Sequence, residues 1–264
     1  MPDARHDAEL LLAHLLECDR GAMLVRRDEP LEPAVAERYE RWITRRATRE
    51  PLQHILGTQE FHGLEFEVDG RVLIPRPETE ALVDAVLELD LRRGARVADL
   101  GTGSGCIIVA LGVQRPDFEL VALDCSAEAL QVARRNAERH GLAGRIELVQ
   151  GDLAHPPASW RATLDALVSN PPYVPEEAWH GLQREVRDHD PRVALVGGAG
   201  GLEAYAALAP VAMQLLKHGG WLALELGFGQ ATEIRTLVDD AGLTAVAVLP
   251  DLRGIPRVLV ARKP

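Results

Sequence analysis

Residues 96–105 read Arg-Val-Ala-Asp-Leu-Gly-Thr-Gly-Ser-Gly, a short apolar run that ends in alternating glycines. The run predicts a buried strand, and the glycines let the backbone turn and approach a ligand before a helix begins near Cys106. A strand that leads through a glycine-rich turn into a helix is typical of an open α/β sheet. This stretch therefore indicates the fold class and a candidate cofactor loop.

The same rhythm of apolar run and helical segment continues to the C-terminus. Counting the run at 97–100 as the first of seven, we expect further strands at 120–123, 146–149, 164–168, 221–226, 243–249 and 258–260. Helical segments follow most of them, which predicts a doubly wound, mostly parallel α/β sheet. The last two runs are joined without a helix, so we expect them to form an antiparallel pair at the end of the sheet.

The chain before residue 70 has a different pattern. Apolar residues at helical spacing between Leu11 and Leu16, and again between Val35 and Ile43, predict a small helical domain. Residues 61–68 alternate around Gly63, which is typical of a β-hairpin, and we expect the hairpin to connect the two parts. The predicted division is an N-terminal helical domain with its hairpin linker at 1–70 and a second domain at 71–264.

Composition excludes several classes of protein. Of the 264 residues, 47% are hydrophobic, which is enough for a sizeable core. The 29 Lys and Arg residues against 40 Asp and Glu give a net charge of −11, which argues against stable binding to nucleic acid or to an anionic membrane. The N-terminus does not resemble a signal peptide, and no apolar run is long enough to span a bilayer. We expect a cytoplasmic protein, with a monomer as the default state.

The positions of the cysteines and arginines say little about function. Cys18, Cys106 and Cys125 are scattered and form no cluster with histidine, so they predict neither a disulfide framework nor a metal site, and we interpret them as small buried apolar residues. The second predicted helix carries several arginines, which could form a docking face for an acidic or nucleic-acid-containing partner. We favour a solvated helix face for this set, which is Arg38, Arg41, Arg45, Arg46 and Arg49.

Carboxylates at the strand ends indicate a nucleoside-containing cofactor. Asp124 ends the second strand 19 residues after Gly105 (124 − 105), close to the offset at which a carboxylate reaches ribose hydroxyls. Asp152, which ends the third strand, could accept a hydrogen bond from an adenine amine or could simply cap a turn. The spacing of Gly101, Gly103 and Gly105 departs from the dinucleotide fingerprint, which weakens the case for NAD.

The fourth strand ends in a stiff corner, Asn170-Pro171-Pro172-Tyr173. The two prolines carry no N–H, so their backbone offers only hydrogen-bond acceptors. Asn170 adds a side-chain carbonyl, and Tyr173 adds a flat face against which a planar group can lie. An ordinary strand-to-loop turn is the alternative. Next to a cofactor site, the corner favours methyl transfer to a planar nitrogen over hydride transfer.

Five segments together closely resemble the peptide-chain release factor glutamine N5-methyltransferases: residues 50–57, 72–80, 99–105, 170–173 and 251–257. The resemblance covers nearly the whole chain and is most specific in Arg-Pro-Glu-Thr-Glu at 76–80. It implies a class I S-adenosylmethionine-dependent methyltransferase domain at 71–264 behind a helical substrate-recognition domain. The implied substrate is the glutamine of the Gly-Gly-Gln motif in class I release factors.

The resemblance also implies roles for residues around the cofactor. The cofactor would be S-adenosylmethionine, with S-adenosylhomocysteine as product, and the methyl group would transfer directly in line without a metal. Asp124 would bind the ribose, and Asp152 with Leu153 would border the adenine. The methionine part would be wrapped by the loop residues Gly101, Thr102, Gly103, Ser104 and Gly105.

On the substrate side, the resemblance implies that Asn170 and the Pro171 carbonyl accept the two amide hydrogens of the glutamine. Asn170 would also border the cofactor, Pro172 would complete the corner, and Tyr173 would pack against the substrate. Arg76, Glu78 and Thr79 would lie near the active site. The chain departs from the family pattern at Leu153, where an aromatic residue is common, at Gly200, where Asp is expected, and at Asp190, where Glu is expected.

Two other functions are compatible with parts of the sequence. An amino methyltransferase acting on adenine in nucleic acid could use the same corner, although the acidic charge and the lack of a basic recognition domain argue against it. A noncatalytic binding module with a vestigial nucleotide fold is the second alternative. The combination of the glycine loop, Asp124 and the corner argues against that one.

Overall fold

The computed structural model describes residues 4–26, 28–251 and 253–264. Leu252, which falls in one of the segments that carry the family resemblance, lies outside the described residues. The N-terminal part begins with helices α1 (Ala4–Leu15), α2 (Arg20–Val25), α3 (Pro33–Ala47) and α4 (Leu52–Leu56). Leu11, Trp42 and Ile55 form its buried core, which confirms the helical character predicted for this region.

The two short helices, α2 and α4, have no counterpart in the sequence prediction. Each is too short for an apolar periodicity to be recognised, and local capping defines it instead. Asp19 caps α2 by accepting a hydrogen bond from the backbone N–H of Ala22 at 2.7 Å. Pro51 immediately precedes α4, and Gly57 ends it in the left-handed conformation.

The predicted hairpin is present as β1 (Thr58–Phe61) and β2 (Leu64–Glu67), an antiparallel pair with Phe61 opposite Leu64. Phe61 and Phe66 are fully buried and pack edge to face, with their ring centroids 6.0 Å apart. The backbone of Glu67 exchanges hydrogen bonds with the Asn136 side chain, which belongs to the next domain. The connection between the two parts is therefore firmly packed.

The rest of the described chain alternates helices and strands. It contains α5 (Glu80–Leu87), β3 (Arg96–Leu100), α6 (Cys106–Gln114), β4 (Glu119–Asp124), α7 (Ala127–Arg139), β5 (Ile146–Gln150), β6 (Leu164–Ser169), α8 (Arg184–Arg187), α9 (Glu203–Leu215), β7 (Leu216–Glu225), α10 (Ala231–Asp240), β8 (Thr244–Pro250) and β9 (Pro256–Arg262). Short 3₁₀ turns complete the connections.

These strands form a seven-stranded sheet in the order β5-β4-β3-β6-β7-β9-β8. The first five are parallel to one another, and β9 pairs antiparallel with both β7 and β8. The predicted doubly wound sheet and its antiparallel end are confirmed. The order reverses direction at β3, and ligands bind at such a switch point in open α/β sheets.

Helices cover both faces of the sheet. Helices α5, α6 and α7 bury one face in an apolar cluster that includes Leu82, Ile108 and Leu111. Helices α9 and α10 bury the other face around Leu208 and Ile234. Two apolar faces of this size fix the sheet rigidly, so the loops at its carboxyl end start from well-defined positions.

Some surface predictions need correction. Arg46 is not part of a solvated face: its side chain is 13% exposed and donates to Asp7 at 2.8 Å. Of the cysteines predicted to be buried, Cys106 is buried, Cys18 is intermediate and Cys125 is exposed. Cys125 follows directly after the end of β4, where the chain turns outward. Among the described residues, no helix is both long enough and apolar enough to cross a membrane.

Candidate active site

A cleft of about 570 Å³ opens at the carboxyl ends of β3, β4, β5 and β6. Residues predicted for cofactor and substrate from separate parts of the sequence meet there. Residues 70–73 and 193–196 close its sides. The predicted site residues that line the cleft are Gly101, Gly103, Asp124, Asp152, Leu153, Asn170 and Pro172.

The glycine loop forms a cradle whose inner face is backbone. Gly101 and Gly103 have φ angles of +80° and +55°, and a Cβ built on either would have no neighbour within 4 Å. Gly105, with φ +80°, serves packing instead, because a Cβ there would lie 3.1 Å from Cβ of Ala133. The first two glycines therefore leave room for a ligand, and the third brings α6 close to α7.

The other predicted loop residues lie beneath the cradle. Thr102 and Ser104 are buried, and the Thr102 hydroxyl donates to Oδ2 of Asp99 at 2.6 Å. Asp99 is fully buried, and its Oδ1 atom has no hydrogen-bond partner among the described residues. Burial raises the pKa of Asp99 to about 7, although the Thr102 hydrogen bond opposes the rise. These residues support the loop from below.

Asp124 is held in a fixed orientation at the end of β4. Its Oδ2 atom accepts the Gly103 N–H at 2.8 Å, and its Oδ1 atom accepts the Ser126 N–H at 2.9 Å. A carboxylate oxygen has two lone-pair positions, so each oxygen keeps one for a further donor such as a ribose hydroxyl. Together with the open cradle, this acceptor pair fits the nucleoside and amino-acid ends of S-adenosylmethionine.

Asp152 and Leu153 border the next part of the cleft. Asp152 is exposed; it accepts the Ala154 N–H at 2.9 Å and lies 3.2 Å from Nδ1 of His155. It therefore caps a turn, as the alternative interpretation expects, and it also lines the cleft; a hydrogen bond to adenine stays a prediction. Leu153 is partly buried and offers an apolar side chain instead of an aromatic ring.

The Asn-Pro-Pro-Tyr corner follows β6 directly beside the glycine loop. The Ser169 hydroxyl donates to the Leu100 carbonyl, which ties the ends of β6 and β3 together. Nδ2 of Asn170 donates to Oγ1 of Thr79 at 3.2 Å. With its donor group engaged by Thr79, Asn170 retains its Oδ1 acceptor for a ligand in the cleft. Pro171 is buried, whereas Pro172 lines the cleft.

The loop at 195–201 and Gln230 hold the far side of the corner. Val174 donates to the Leu195 carbonyl at 2.8 Å, and Nε2 of Gln230 donates to the Tyr173 carbonyl at 3.2 Å. Burial raises the pKa of the Tyr173 phenol to about 12, so the ring remains a neutral packing surface at physiological pH. Gly200, which replaces the expected Asp, contributes its carbonyl as an acceptor for Gln230 at 3.4 Å.

Arg76 and Glu78 lie outside the cofactor cleft. The Arg76 guanidinium donates to Oδ2 of the buried Asp190 at 2.6 Å, so the Asp at position 190 pairs with this arginine. Burial raises the pKa of Asp190 to about 6, and Arg76 opposes the rise. Glu78 lines a separate groove between α5 and the turn that follows β8. Substrate contacts for Arg76 and Glu78 stay predictions.

Sequence reasoning missed Glu225, a buried carboxylate at the end of β7; burial raises its pKa, and the nearby hydroxyl groups of Thr79 and Tyr173 oppose the rise. A signal was present, since Glu225 is the charged residue in the otherwise apolar run 221–226. It also missed the walls of the cleft at 70–73 and 193–196. Residues 72 and 73 fall in a segment that carries the family resemblance, but nothing in that segment indicates a role in closing the cleft. In residues 4–26, 28–251 and 253–264, no group of His, Cys, Asp and Glu side chains could hold a metal ion.

The sheet order, the open glycine cradle and the carboxylate at the end of β4 define a class I S-adenosylmethionine-dependent methyltransferase. Solved structures have the same fold. TrmN from Thermus thermophilus superposes with a TM-score of 0.51 and 27% identity, covering 69% of this chain and 48% of that chain. A methyltransferase from Pyrococcus furiosus superposes with a TM-score of 0.56 and 20% identity, covering 76% of this chain and 89% of that chain.

The chain belongs to the release factor glutamine methyltransferase family. The protein of that name from Geobacter sulfurreducens is 44% identical over 98% of this chain and 90% of its own length. The corresponding protein from Koribacter versatilis is 44% identical over the whole of this chain and 92% of its own length. Family models for the PrmC N-terminal domain and the methyltransferase small domain match residues 1–57 and 78–185, respectively.

Proposed function

We propose that this protein transfers a methyl group from S-adenosylmethionine to the side-chain amide nitrogen, N5, of the glutamine in the Gly-Gly-Gln motif of class I release factors. The arrangement of Asn170 carries the proposal. Its Nδ2 atom is bound to Thr79, and the residue lines the cofactor cleft. An acceptor at that position suits a substrate that donates N–H bonds. Membership of the family supports glutamine in a release factor as that substrate.

Orientation is the main contribution of the protein to the chemistry. When bound, S-adenosylmethionine supplies an electrophilic methyl group on a sulfonium centre. The amide nitrogen forms the new N–C bond and loses one of its two hydrogens as a proton, while the electron pair of the broken S–C bond stays on sulfur in S-adenosylhomocysteine. We assign the Asn170 Oδ1 atom and the Pro171 carbonyl to the two amide hydrogens, with Pro172 and the Tyr173 ring shaping the corner around the amide plane. Two fixed acceptors restrict the nitrogen to one direction of approach, and such positioning accounts for much of the rate in reactions of this type.

The same acceptors also favour the transition state over the ground state. An amide nitrogen is a weak nucleophile because its lone pair is delocalised into the carbonyl group. As the lone pair is withdrawn from that resonance, the N–H bonds become more polar, and the hydrogen bonds to Asn170 and Pro171 strengthen. The corner can therefore lower the barrier without a charged catalytic group in contact with the substrate.

On the cofactor side, we assign Gly101 and Gly103 to the methionine part, Asp124 to the ribose, and Asp152 with Leu153 to the adenine. Thr102, Ser104 and Gly105 act through the shape of the loop. We assign substrate recognition to residues 1–70, and cofactor binding and methyl transfer to residues 71–264. Arg76 and Glu78 would help to place the substrate segment.

We further propose that the protein acts as a monomer in the cytoplasm, where translation terminates, and does not bind nucleic acid stably. The net charge of −11 supports the last point. We expect the partners to be class I release factors in solution. The glutamine of their Gly-Gly-Gln motif must enter the cleft to reach the corner.

A competition experiment tests the choice of substrate. Purified protein and S-adenosylmethionine with an isotopically labelled methyl group are incubated with a class I release factor and with an adenine-containing oligonucleotide. We expect label in the release factor, and no label once the Gly-Gly-Gln glutamine is replaced by alanine. Label in the oligonucleotide in place of the release factor would support an adenine amino methyltransferase instead.

A further inference from the structure

Asn170 can accept a substrate N–H only if its side-chain amide keeps one orientation. The amide carries an acceptor, Oδ1, and a donor group, Nδ2, of nearly the same shape, so a flip of 180° about its terminal torsion would present donors to the substrate. Nδ2 lies 3.2 Å from Oγ1 of Thr79, which is 2% exposed. Thr79 therefore decides which end of the amide is available.

A hydroxyl can both donate and accept a hydrogen bond. A second partner is therefore needed to fix the direction in which the hydroxyl hydrogen of Thr79 points. The side chain placed to be that partner is Glu225, which ends β7; the neighbouring strand β6 leads directly into Asn170. The pairing of Ser169 with Leu224 places Glu225 beside Asn170 in the register of the two strands. The hydroxyl groups of Thr79 and Tyr173 lie close enough to the Glu225 carboxylate to oppose the rise that burial causes in its pKa, so either can donate to it. An ionised carboxylate has no hydrogen to give. Thr79 must then point its hydrogen at Glu225 and its lone pair at Nδ2 of Asn170.

Glu225 is otherwise poorly satisfied. It is 1% exposed, and its Oε2 atom has no hydrogen-bond partner among the described residues. Burial raises its pKa to about 7, and the nearby hydroxyl groups of Thr79 and Tyr173 and the charge of Arg257 oppose the rise. A buried carboxylate with an unpaired oxygen is costly to keep ionised, which argues that it has a use other than stability.

We propose that Glu225 and Thr79 are positioning residues that set the polarity of the Asn170 amide, and that ionised Glu225 is required for methyl transfer. The relay runs from the Glu225 carboxylate through the Thr79 hydroxyl to Nδ2 of Asn170. When Glu225 is protonated it can donate to Thr79, which frees the Thr79 hydrogen for Oδ1 of Asn170 and removes the preference for the productive orientation. This inference rests on the proposed role of Asn170 as the acceptor of the substrate amide.

The sign of the pH dependence follows from the direction of the pKa shift. With a pKa of about 7, Glu225 is mostly ionised at pH 8, so turnover is highest there and falls as the pH drops through 7. One pH unit below the pKa, about a tenth of the protein has the productive charge state, which gives an expected loss of about ten-fold. The other titratable or charged groups that face Glu225 are Glu78, Tyr173, Tyr205, Arg257 and Cys106.

The amide itself can be observed without any turnover. The chain contains two asparagines, Asn136 and Asn170. Selective ¹⁵N labelling of asparagine therefore gives two side-chain amide signals, and Asn136, which is fully buried and bonded to the carbonyls of Glu67 and Ser104, serves as an internal reference. We expect the Asn170 signal to titrate near pH 7 in the wild type and to lose this titration in Glu225→Gln and in Thr79→Val, while the Asn136 signal stays unchanged.

Kinetics and stability complete the test. Glu225→Gln should lower kcat at pH 8 at least ten-fold, leave the KM for S-adenosylmethionine within about two-fold, and abolish the acid limb of the pH profile. Thr79→Val should have the same effects on kcat, KM and the pH profile. The double variant should have a kcat no lower than that of either single variant, and Thr79→Ser should retain most of the activity. Glu225→Gln should melt at pH 8 at the same or a higher temperature than the wild type, because it removes a buried charge.

Tyr205→Phe is the matched control, since the Tyr205 hydroxyl donates to the backbone carbonyl of Glu225 at 2.8 Å and not to its carboxylate. It should keep the acid limb and the Asn170 titration. An Asn170 titration that persists in Glu225→Gln, or an unchanged acid limb in that variant, would overturn the inference while leaving the proposed function intact. A wild-type enzyme that fails to methylate release factor, with the NMR titration present, would instead overturn the proposed function alone.

Discussion

At the scale of single residues, the site depends on acceptors that are fixed in place before a ligand arrives. Asp124 has each carboxylate oxygen bound to a backbone N–H, from Gly103 and Ser126. Asn170 has its amide nitrogen bound to Thr79. Neither side chain needs to reorganise to receive a donor, which is the condition under which hydrogen bonds contribute most to binding and rate.

Removal of the Asn170 amide should affect turnover and not cofactor binding. Asn170→Ala loses the acceptor for the substrate N–H, and removal of one such preorganised group costs about 100-fold or more in kcat. Calorimetry should give an S-adenosylmethionine affinity within a few-fold of the wild type. Near-normal turnover in this variant would rule out the assigned role of Asn170.

Loss of the Asp124 carboxylate should have the opposite signature. Asp124→Ala removes the proposed ribose acceptor and two hydrogen bonds that shape the glycine loop, and we expect the affinity for S-adenosylmethionine to fall about 10-fold to 100-fold. Asp84→Asn, at an exposed carboxylate on α5, is the control and should bind the cofactor normally. Equal affinities in a calorimetric titration of the two variants would contradict the placement of the ribose.

At the scale of elements, the corner is shaped by a second loop that packs directly on its backbone. A Cβ built on Gly197 would lie 2.3 Å from the Pro172 carbonyl oxygen, and one on Gly201, with φ +71°, would lie 2.2 Å from the Tyr173 carbonyl oxygen. Residues 197–201 can approach this closely only without side chains at both positions. The position of the corner therefore depends on this contact as much as on its own prolines.

A methyl group at Gly197 should move the corner. Gly197→Ala places Cβ against backbone that cannot rotate away, so we expect a loss of stability of about 1–3 kcal/mol and a clear fall in kcat, with cofactor affinity less affected. Gly181→Ala is the control, because a Cβ there would meet nothing within 4 Å. Thermal unfolding and kinetics of both variants decide the point; equal behaviour would show that the contact does not position the corner.

At the scale of the whole molecule, ion pairs join the helical domain to the loop that leads to the active site. Glu185 on α8 lies 3.0 Å from Arg49 and 3.4 Å from Arg46, and Arg46 also binds Asp7 of α1. A few residues further on, Asp190 binds Arg76, which precedes Thr79. We therefore expect the orientation of the helical domain to be coupled to the segment that holds Asn170.

Breaking this connection should weaken substrate use more than cofactor binding. Glu185→Gln is expected to lower the free energy of unfolding by about 1 kcal/mol and to shift Tm down by about 2 °C. It should also raise the KM for release factor while leaving S-adenosylmethionine affinity unchanged. The exposed pair of Glu37 with Arg41 on α3 offers the control, and Glu37→Gln should match the wild type. A Glu185→Gln variant with wild-type Tm and KM would contradict the coupling.

The sequence predicted local and repetitive features well. The strands were identified because each is a buried apolar run bounded by turn residues, and the predicted cofactor acceptor Asp124 was identified because it ends such a run. Strand β7 begins at Leu216, earlier than the expected start at Trp221. The earlier start was not predicted because Gly219 and Gly220 interrupt the strand pattern there.

Features that depend on contacts between distant segments were not predictable. The pairing of Arg46 with Asp7 and Glu185 turned an expected surface residue into an internal one. The Thr79 contact with Asn170 joins residues 91 positions apart. The packing of α5 on the sheet brings them together, and no local pattern encodes which hydroxyl meets which amide.

Site-resolved mass spectrometry of a class I release factor after incubation with this protein and S-adenosylmethionine tests the central claim most directly. We predict the mass of one methyl group on the glutamine side chain of the Gly-Gly-Gln peptide with the wild-type protein, and an unmodified peptide with Asn170→Ala. An unmodified glutamine with the wild-type protein, or a methyl group on another residue of the release factor, would contradict the account.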